Sequence, residues 1–423
     1  MINHHILDSA MSVTQQRLQQ TELAEFPVTI RNAGVAGAGG AGFPSHAKWQ
    51  RIEEVDHLLV NHQESEPNYY VDKWLGKEKA DELATLFDAL LDRAFETIVI
   101  GAKEKDRDEW MGGLESSTDG TVYGPEDLPL DPETESGVVF AYTDDTYQYG
   151  MESVLLNVVA DVVVGSDLPM DHGWIVQNTE TMYNVYGALE DATPVTRTYV
   201  HVDGKTPRHR FLEVPIGTPA AALLTAADLP PAHLDDDDVL LDGGPGWCFE
   251  IDRSVDAFGV RKRTNCVLVL DGETVAESTL GNDRVNVLDE REWRASVDET
   301  EPTARLSPAY VRVPLITNPA FEGVVQPSEP IVESGETVSE GEMIARPAGE
   351  ISNAQHAPID GEVTTVTDTH VEIHREHGRP GVAAVERVIY WTWCGDCGTY
   401  VVYPETAGNP DPTRYVCEDC RRP

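Results

Sequence analysis

Residues Gly34 to Trp49 read GVAGAGGAGFPSHAKW, with five glycines inside nine positions. Such a stretch lets backbone N–H groups approach a phosphate or a flat ring with no side chain in the way. Gly37, Gly39 and Gly42 spell G-x-G-x-x-G. That pattern alone is weak, because a dinucleotide fingerprint should follow a clear strand and lead to an acidic ribose clamp. The strand read ahead of this loop is short, Val28-Thr29-Ile30. A second constellation lies near the other end of the chain. Cys394, Cys397, Cys417 and Cys420 form two C-x-x-C pairs separated by 19 residues. Two thiolate pairs on knuckle turns suit a tetrahedral metal. Zinc is the favoured ion, holding a structural ribbon; a mononuclear iron of rubredoxin type is the alternative and would relay electrons. No C-x-x-C-x-x-C run occurs, so no [4Fe–4S] motif is found. Cys248 and Cys266 stand alone and read as small buried side chains. Asp235–Asp238 reads as a solvated loop, and His370 and His374 as surface histidines on one face of a strand.

The chain has 423 residues, 74 Asp and Glu against 31 Lys and Arg, and a net charge of −43. That length predicts two to four domains. Acids occur in every segment rather than in one tail. Their mutual repulsion opposes compaction in dilute buffer, and molar salt, with a Debye length of about 3 Å, removes most of it. The composition therefore points to a salt-rich cytoplasm and argues against nucleic acid as a partner. No basic, apolar leader opens the sequence, and no run of 18 apolar residues supplies a membrane span. Any membrane attachment would come through a partner.

The elements that must carry these residues follow from periodicity. Residues 1–25 read as a polar N-terminal helix. From 26 to 195, apolar strands at His57–Asn61, Thr97–Gly101, Gly137–Tyr142 and Trp174–Val176 alternate with helices, the pattern of an α/β domain. Leu83, Leu86, Phe87, Leu90 and Leu91 give Lys77 to Phe95 one apolar helical face. Residues 104–135, rich in Asp, Glu, Gly and Pro, read as an exposed loop. A second unit spans 196–280, with strands Thr198–Val202 and Phe211–Val214 about a turn at Asp203-Gly204. A helix Pro219–Ala227 and strands at Val239–Leu241 and Val267–Leu270 complete a β-grasp-like module. Residues 281–307 read as a polar linker. From 308 to 376, short strands separated by turns at Gly335, Gly341 and Gly361 suit a barrel sandwich of lipoyl type. No lysine sits at a hairpin tip, so covalent lipoate or biotin is not expected. Residues 377–423 hold the four-cysteine ribbon.

Several of these segments match one family in order. The loop GVAGAGGAGFPSHAKW strongly resembles the flavin loop of the complex I NADH-binding subunit and of RnfC. VNHQESEP (60–67), YQYGMES (147–153), LPMDHGW (168–174) and VQNTET (176–181) are similar to further motifs of that family. LLDGGPG and RTNCVLVL look like its soluble ligand-binding β-grasp (SLBB) domain, and the barrel sandwich is an RnfC feature. The resemblance covers roughly 28–375. It implies a Rossmann-like α/β FMN-binding domain, then the SLBB domain, the barrel sandwich and the zinc ribbon. It also implies FMN in the glycine loop with NADH as substrate stacked on its outer face. By position, Gly37, Gly39, Gly40 and Gly42 would line the flavin. Asn61, Gln63 and Glu64 would lie along its ring edge or ribityl chain, and Tyr147, Gly150, Asn178 and Thr181 would complete the pocket. Phe43 would stack near the nicotinamide nucleotide, Lys48 would sit near its phosphate, and Glu66 and Glu152 would contact its ribose or amide. Hydride transfer to flavin needs no protein acid or base, so no catalytic residue is assigned. Met151 stands where the complex I protein has Glu, and Gln63 where it has Asp.

The implied activity is that of an NADH:acceptor oxidoreductase component, passing electrons through FMN to a partner carrying iron–sulfur centres. Two other readings stand beside it. One is a scaffold subunit that keeps the fold without redox function; the other is a flavin reductase acting on a bound cofactor such as a corrinoid.

Overall fold

A computed structural model describes residues 17–251, 254–321 and 323–375, and the backbone of strands at 381–384, 388–393 and 400–404. The four ribbon cysteines and most of the expected N-terminal helix lie outside the described residues; Arg17–Gln20 is helical.

The first sheet contains β1 (His57–His62), β2 (Thr97–Lys103), β3 (Thr121–Tyr123), β4 (Gly137–Thr143) and β5 (Trp174–Asn178). All its pairings are parallel, in the order β3-β4-β2-β1-β5. Helices cover both faces, so the strands read as continuous apolar runs. Alternate residues serve opposite cores: Leu58, Val60, Ile98 and Ile100 join one cluster, Leu59, Val99 and Val176 the other. The four strands expected between His57 and Val176 are all present.

Three expectations in this region change. Val28-Thr29-Ile30 lies inside the helix Phe26–Asn32. Pro27 fixes its first turn, and Phe26 and Ile30, four residues apart, are both buried on its inner face. The apolar run 77–95 is broken at Lys79 into helices Val71–Glu78 and Ala80–Leu91, with Leu91 only partly buried. Residues 104–135 are not one exposed loop. They hold a helical stretch from Arg107 to Thr118 and the edge strand β3, anchored by buried Trp110, Met111 and Leu114. Three apolar anchors among many acids give too thin a stripe to read.

The second sheet has ten strands, in the order β11-β9-β8-β10-β6-β7-β12-β20-β21-β22, where β20, β21 and β22 are the strands at 381–384, 388–393 and 400–404. Its heart is the antiparallel hairpin β6 (Arg197–Gly204) and β7 (Arg210–Pro215), with β10 (Cys266–Asp271) parallel to β6. β8 (Asp238–Gly244) pairs with β10 and continues into β9 (Trp247–Glu250). Asp203 and Gly204 end β6 rather than forming its turn. The helix Ala220–Ala226 packs Leu223 and Leu224 onto this sheet. Cys248 and Cys266 are fully buried, as expected. The expected linker 281–307 is packed structure. β11 (Arg284–Val285) pairs with β9, β12 (Ala304–Ser307) extends the sheet, and Val285, Val287 and Trp293 are buried. Charged residues outnumber these anchors, which hides them in the composition.

The last unit folds as two small sheets, β13 (Tyr310–Pro314) with β19 (His370–His374), β18 (Gly361–Val366) and β15 (Thr337–Val338), and β14 (Glu329–Pro330) with β16 (Met343–Arg346) and β17 (Gln355–His356). Val311, Val313, Ile344, Val363 and Ile373 share its core. His374 bonds Glu372 and stacks on Tyr310, and His370 Nε2 meets an Arg312 guanidinium N–H.

Because Trp293 is buried, Trp293→Ala should cost about 3–5 kcal/mol of stability. Urea unfolding followed by circular dichroism checks this; an unshifted midpoint would mean the segment is a linker after all.

Candidate functional site

The site begins where the first sheet reverses its strand order. β1 has β2 on one side and β5 on the other, although β5 follows β4 in the chain. An open α/β sheet leaves a crevice at the carboxyl ends of such neighbours. Asn61, one residue before the end of β1, and Asn178, the last residue of β5, face each other in register. Asn61 Nδ2 donates to Gly150 O at 2.8 Å. Asn178 caps the helix Thr179–Tyr186, its Oδ1 accepting from Glu180 N at 2.9 Å, while its Nδ2 donates to Asp72 at 2.6 Å.

The glycine loop lies over these strand ends. Gly39, Gly40 and Gly42 have φ of 69°, 95° and 64°, the left-handed region that glycine adopts without cost. A Cβ on Gly39 would stand 3.1 Å from the Asn178 amide, and one on Gly42 would stand 2.8 Å from Asn318 Cβ. The loop closes on itself through Gly37 N to Phe43 O and Gly42 N to Gly37 O, both 2.7 Å. Ala38 N donates to Thr181 Oγ1 at 2.9 Å. Among the described residues nothing accepts the N–H groups of Gly39, Gly40 or Ala41, and nothing lies within 4 Å of a Cβ placed on Gly40. Those three residues line the cavity, and their donors are available to an anion or a ring edge there.

Other units hold the loop from outside. Asn318 Nδ2 donates to Ala41 O at 2.8 Å, Thr317 Oγ1 donates to Gly42 O, and Asn353 Nδ2 donates to Val35 O at 2.9 Å. Lys262, buried, donates to Gly34 O at 2.7 Å and Ala354 O at 3.0 Å. Burial without a carboxylate pulls its ammonium down to about 7.

Together these parts enclose a cavity of about 490 Å3. Gly39, Gly40, Asn61, Asn178, Tyr147 and Gly150, singled out from sequence, line it, as do Glu64 and Glu66. The remaining residues do not reach it. Gly37 and Gly42 shape the loop, Thr181 supports it, and Gln63 is buried against Thr143 at 3.1 Å. Phe43 sits edge-on to Phe321 with ring centres 5.7 Å apart. Lys48 and Glu152 pair with each other at 2.5 Å, and Lys48 also donates to Val176 O at 2.8 Å.

The cavity wall also has residues that sequence reading missed: Asp72, Trp247, Arg263, Asn265, Asn318 and Phe321. Trp247 and Arg263 lie in or beside segments already marked by the Gly243-Gly244-Pro245-Gly246 and RTNC motifs. Nothing local marks Asn318 or Phe321. Glu66 locks the β8–β9 turn onto the first domain. It accepts the Tyr147 hydroxyl at 2.7 Å and Gly246 N at 2.8 Å, and a Cβ at Gly246 would collide with that tyrosine. Arg263 is buried with one guanidinium N–H on Asp242 at 2.7 Å and its Nε without a partner among the described residues. Burial raises the carboxyls of Glu64, Asp72 and Glu66, and takes that of Glu180 up to about 8. It lowers His62 to about 4.

Known proteins share parts of this architecture. A family model described as the Nuo51 FMN-binding domain matches residues 30–187, and one described as the RnfC barrel sandwich hybrid domain matches 307–384. The chain is 32% identical over 218 residues to cobalamin reductase PduS of Citrobacter freundii, covering 51% of this chain and 44% of that protein. It is 30% identical over 253 residues to a component of the ion-translocating oxidoreductase complex of Pseudomonas aeruginosa, covering 59% of this chain and 30% of that one. The chain thus spans less than half the length of these relatives. Among solved structures, an NAD+-reducing [NiFe]-hydrogenase in its H2-reduced state aligns with a TM-score of 0.48 and 18% identity, covering 62% of this chain and 49% of that one. No helix among the described residues is long and apolar enough to cross a membrane.

The raised Glu180 carboxyl makes a signed prediction. The folded protein holds its proton up to about 8, whereas the unfolded chain releases it near its ordinary 4.5. Between those values each pH unit costs the wild type up to about 1.4 kcal/mol, and Gln does not titrate. The melting temperature of Glu180→Gln relative to wild type should therefore rise by a few degrees from pH 5 to pH 8. A pH-independent difference would show that Glu180 is charged in the fold.

Proposed function

We propose that this chain, a member of the RnfC and complex I flavin-subunit family, binds one FMN in the glycine-loop cavity and passes electrons from NADH to a partner of an electron-transport complex. The observation that carries the reading is the register of Asn61 with Asn178 at the switch point, directly beneath the glycine loop. The residues present fit the cofactor. Free loop N–H groups and the Arg263 guanidinium suit its phosphate, and Asn61, Asn178, Asn265 and Asn318 offer amides to a polar ring edge. When bound, FMN supplies hydride acceptance and single-electron release. The chain's own residues bind, orient and shield it. Lys48, Glu66 and Glu152 are the side chains assigned to the nicotinamide nucleotide; each is already engaged within the protein, so the nucleotide would have to compete with these pairs.

The domain reading that goes with this function is an FMN/NADH-binding domain at 26–195, an SLBB β-grasp domain at 196–280, a barrel sandwich at 308–376 and a zinc ribbon at 377–423. Cys394, Cys397, Cys417 and Cys420 would hold zinc, or iron if the ribbon relays electrons. The setting is a salt-rich cytoplasm, with any membrane attachment made through the partner, which would carry the iron–sulfur centres. One observation favours a second acceptor: a relative sharing 32% identity is named a cobalamin reductase. A corrinoid held by a partner is that alternative.

The protein purified in molar salt, offered FMN and kept anaerobic, should show a flavin band that NADH bleaches. A flavin band that NADH leaves untouched would move the assignment to a scaffold or to another donor. Gly39→Val should abolish flavin binding without unfolding the chain, since its Cβ would press on Asn178 and strain a backbone at φ 69°. Full flavin occupancy in that variant would place the site elsewhere.

A further inference from the structure

Three carboxyl groups are buried together at the cavity, Glu64 and Asp72 in its wall and Glu180 behind it. Glu64, Asp72 and Glu180 are 8%, 5% and 2% exposed. Glu64 Oε2 accepts the backbone N–H groups of Asp72 and Lys73 at 2.6 and 3.2 Å, at the start of the helix Val71–Glu78. Asp72 Oδ1 accepts Glu180 N at 3.2 Å, and its Oδ2 accepts the Asn178 amide at 2.6 Å. Glu180 Oε1 accepts the Thr198 hydroxyl at 3.0 Å, while its Oε2 is buried without a partner among the described residues.

The charges facing this group are few. Lys73 is the nearby ammonium, and it is committed to Asp106 at 3.3 Å. From β1 comes His62, kept neutral by burial, with its Nδ1 on the Thr179 hydroxyl. Tyr70 and Tyr199 contribute neutral phenols from the helix start and from β6. Three full negative charges in so dry a space, opposite one shared cation, would cost far more than their hydrogen bonds return. Burial comes first among the causes that raise each carboxyl, and the Glu64 charge adds to it at both Asp72 and Glu180.

A structural role alone would be met by amides, which accept the same N–H groups without the desolvation penalty. The chain instead keeps acids. It also holds Glu64 at φ 40°, a conformation uncommon for a residue with a side chain. Glu64 and Asp72 line the cavity, and Asp72 bonds the amide of cavity residue Asn178.

We propose that Glu64, Asp72 and Glu180 form a proton-holding cluster that keeps at least one proton at neutral pH and takes up another from solvent when negative charge enters the cavity. The uptake is a plain protonation: a lone pair on a carboxylate oxygen takes a proton from solvent water or hydronium, whose O–H bond breaks, and the hydride donor supplies only the negative charge that enters the cavity. The proton leaves to solvent when the charge leaves. The coupling rests on the flavin reading above; the proton holding does not.

The test has two arms. Infrared spectra of the cofactor-free protein at pH 7 should contain a carboxylic-acid carbonyl band that shifts in heavy water. Glu64→Gln, Asp72→Asn and Glu180→Gln, each checked for an unchanged near-ultraviolet dichroism spectrum, should each lose part of it, about one acid equivalent at most. No such band in the wild type, or a band untouched by all three substitutions, overturns the cluster. In the FMN-loaded protein at pH 8, reduction by dithionite with an indicator dye should show greater proton uptake in the wild type than in Glu180→Gln. Equal uptake overturns the coupling. A chain that binds no flavin removes the cofactor assignment and leaves the infrared result to decide the cluster.

Discussion

A loop made of five glycines in nine residues cannot hold its own shape, and the rest of this structure depends on how that is resolved. Its backbone groups must find partners, since buried N–H and C=O groups are costly to leave unpaired. Two hydrogen bonds close the loop on itself, Ser45 N closes its base on Val35 O, and further partners come from far along the chain. Thr181 takes Ala38 N, Lys262 takes Gly34 O, Asn353 takes Val35 O, and Asn318 takes Ala41 O. The second and third units are therefore parts of the cavity rather than appendages to it.

The same constraint governs charge. With 31 basic side chains to 74 acidic ones, each interior cation is placed with purpose. Arg263 and half-buried Arg261 share Asp242, and Lys73 serves Asp106. Lys262 alone among these is bonded to two carbonyls, at the point where the glycine loop, the second unit and the barrel sandwich meet. Of the acids buried without a cation partner, Glu64, Asp72 and Glu180 gather at one cavity, while Glu190 sits apart and accepts Leu18 N. Surface acids elsewhere carry the large net charge and leave the site's own balance to local geometry.

Four of the five parallel strands were legible because each is buried on both faces and reads as an unbroken apolar run; the edge strand β3, half-exposed, was not. The glycine loop was legible because glycine has so few other reasons to cluster. Asn61, Glu64, Tyr147 and Asn178 were legible only as spaced motifs in order, since none carries a local signal. Composition misled where few anchors sit among many acids: Trp110 and Leu114 in one segment, Val285 and Trp293 in another. The helix Phe26–Asn32 looked like a strand because Val28-Thr29-Ile30 is β-branched, and tertiary packing of Phe26 and Ile30 overrode that preference. Asn318 was out of reach in principle. Its partner Ala41 is 277 residues away, and no pattern in a single sequence reports such a contact.

That contact offers the most direct trial of a site built jointly by distant units. FMN titrations followed by flavin fluorescence should give a dissociation constant about tenfold weaker for Asn318→Ala than for the wild type, the cost of roughly one lost hydrogen bond to the loop. Equal affinity in the two proteins would contradict the account, because the glycine loop would then hold its shape without the third unit.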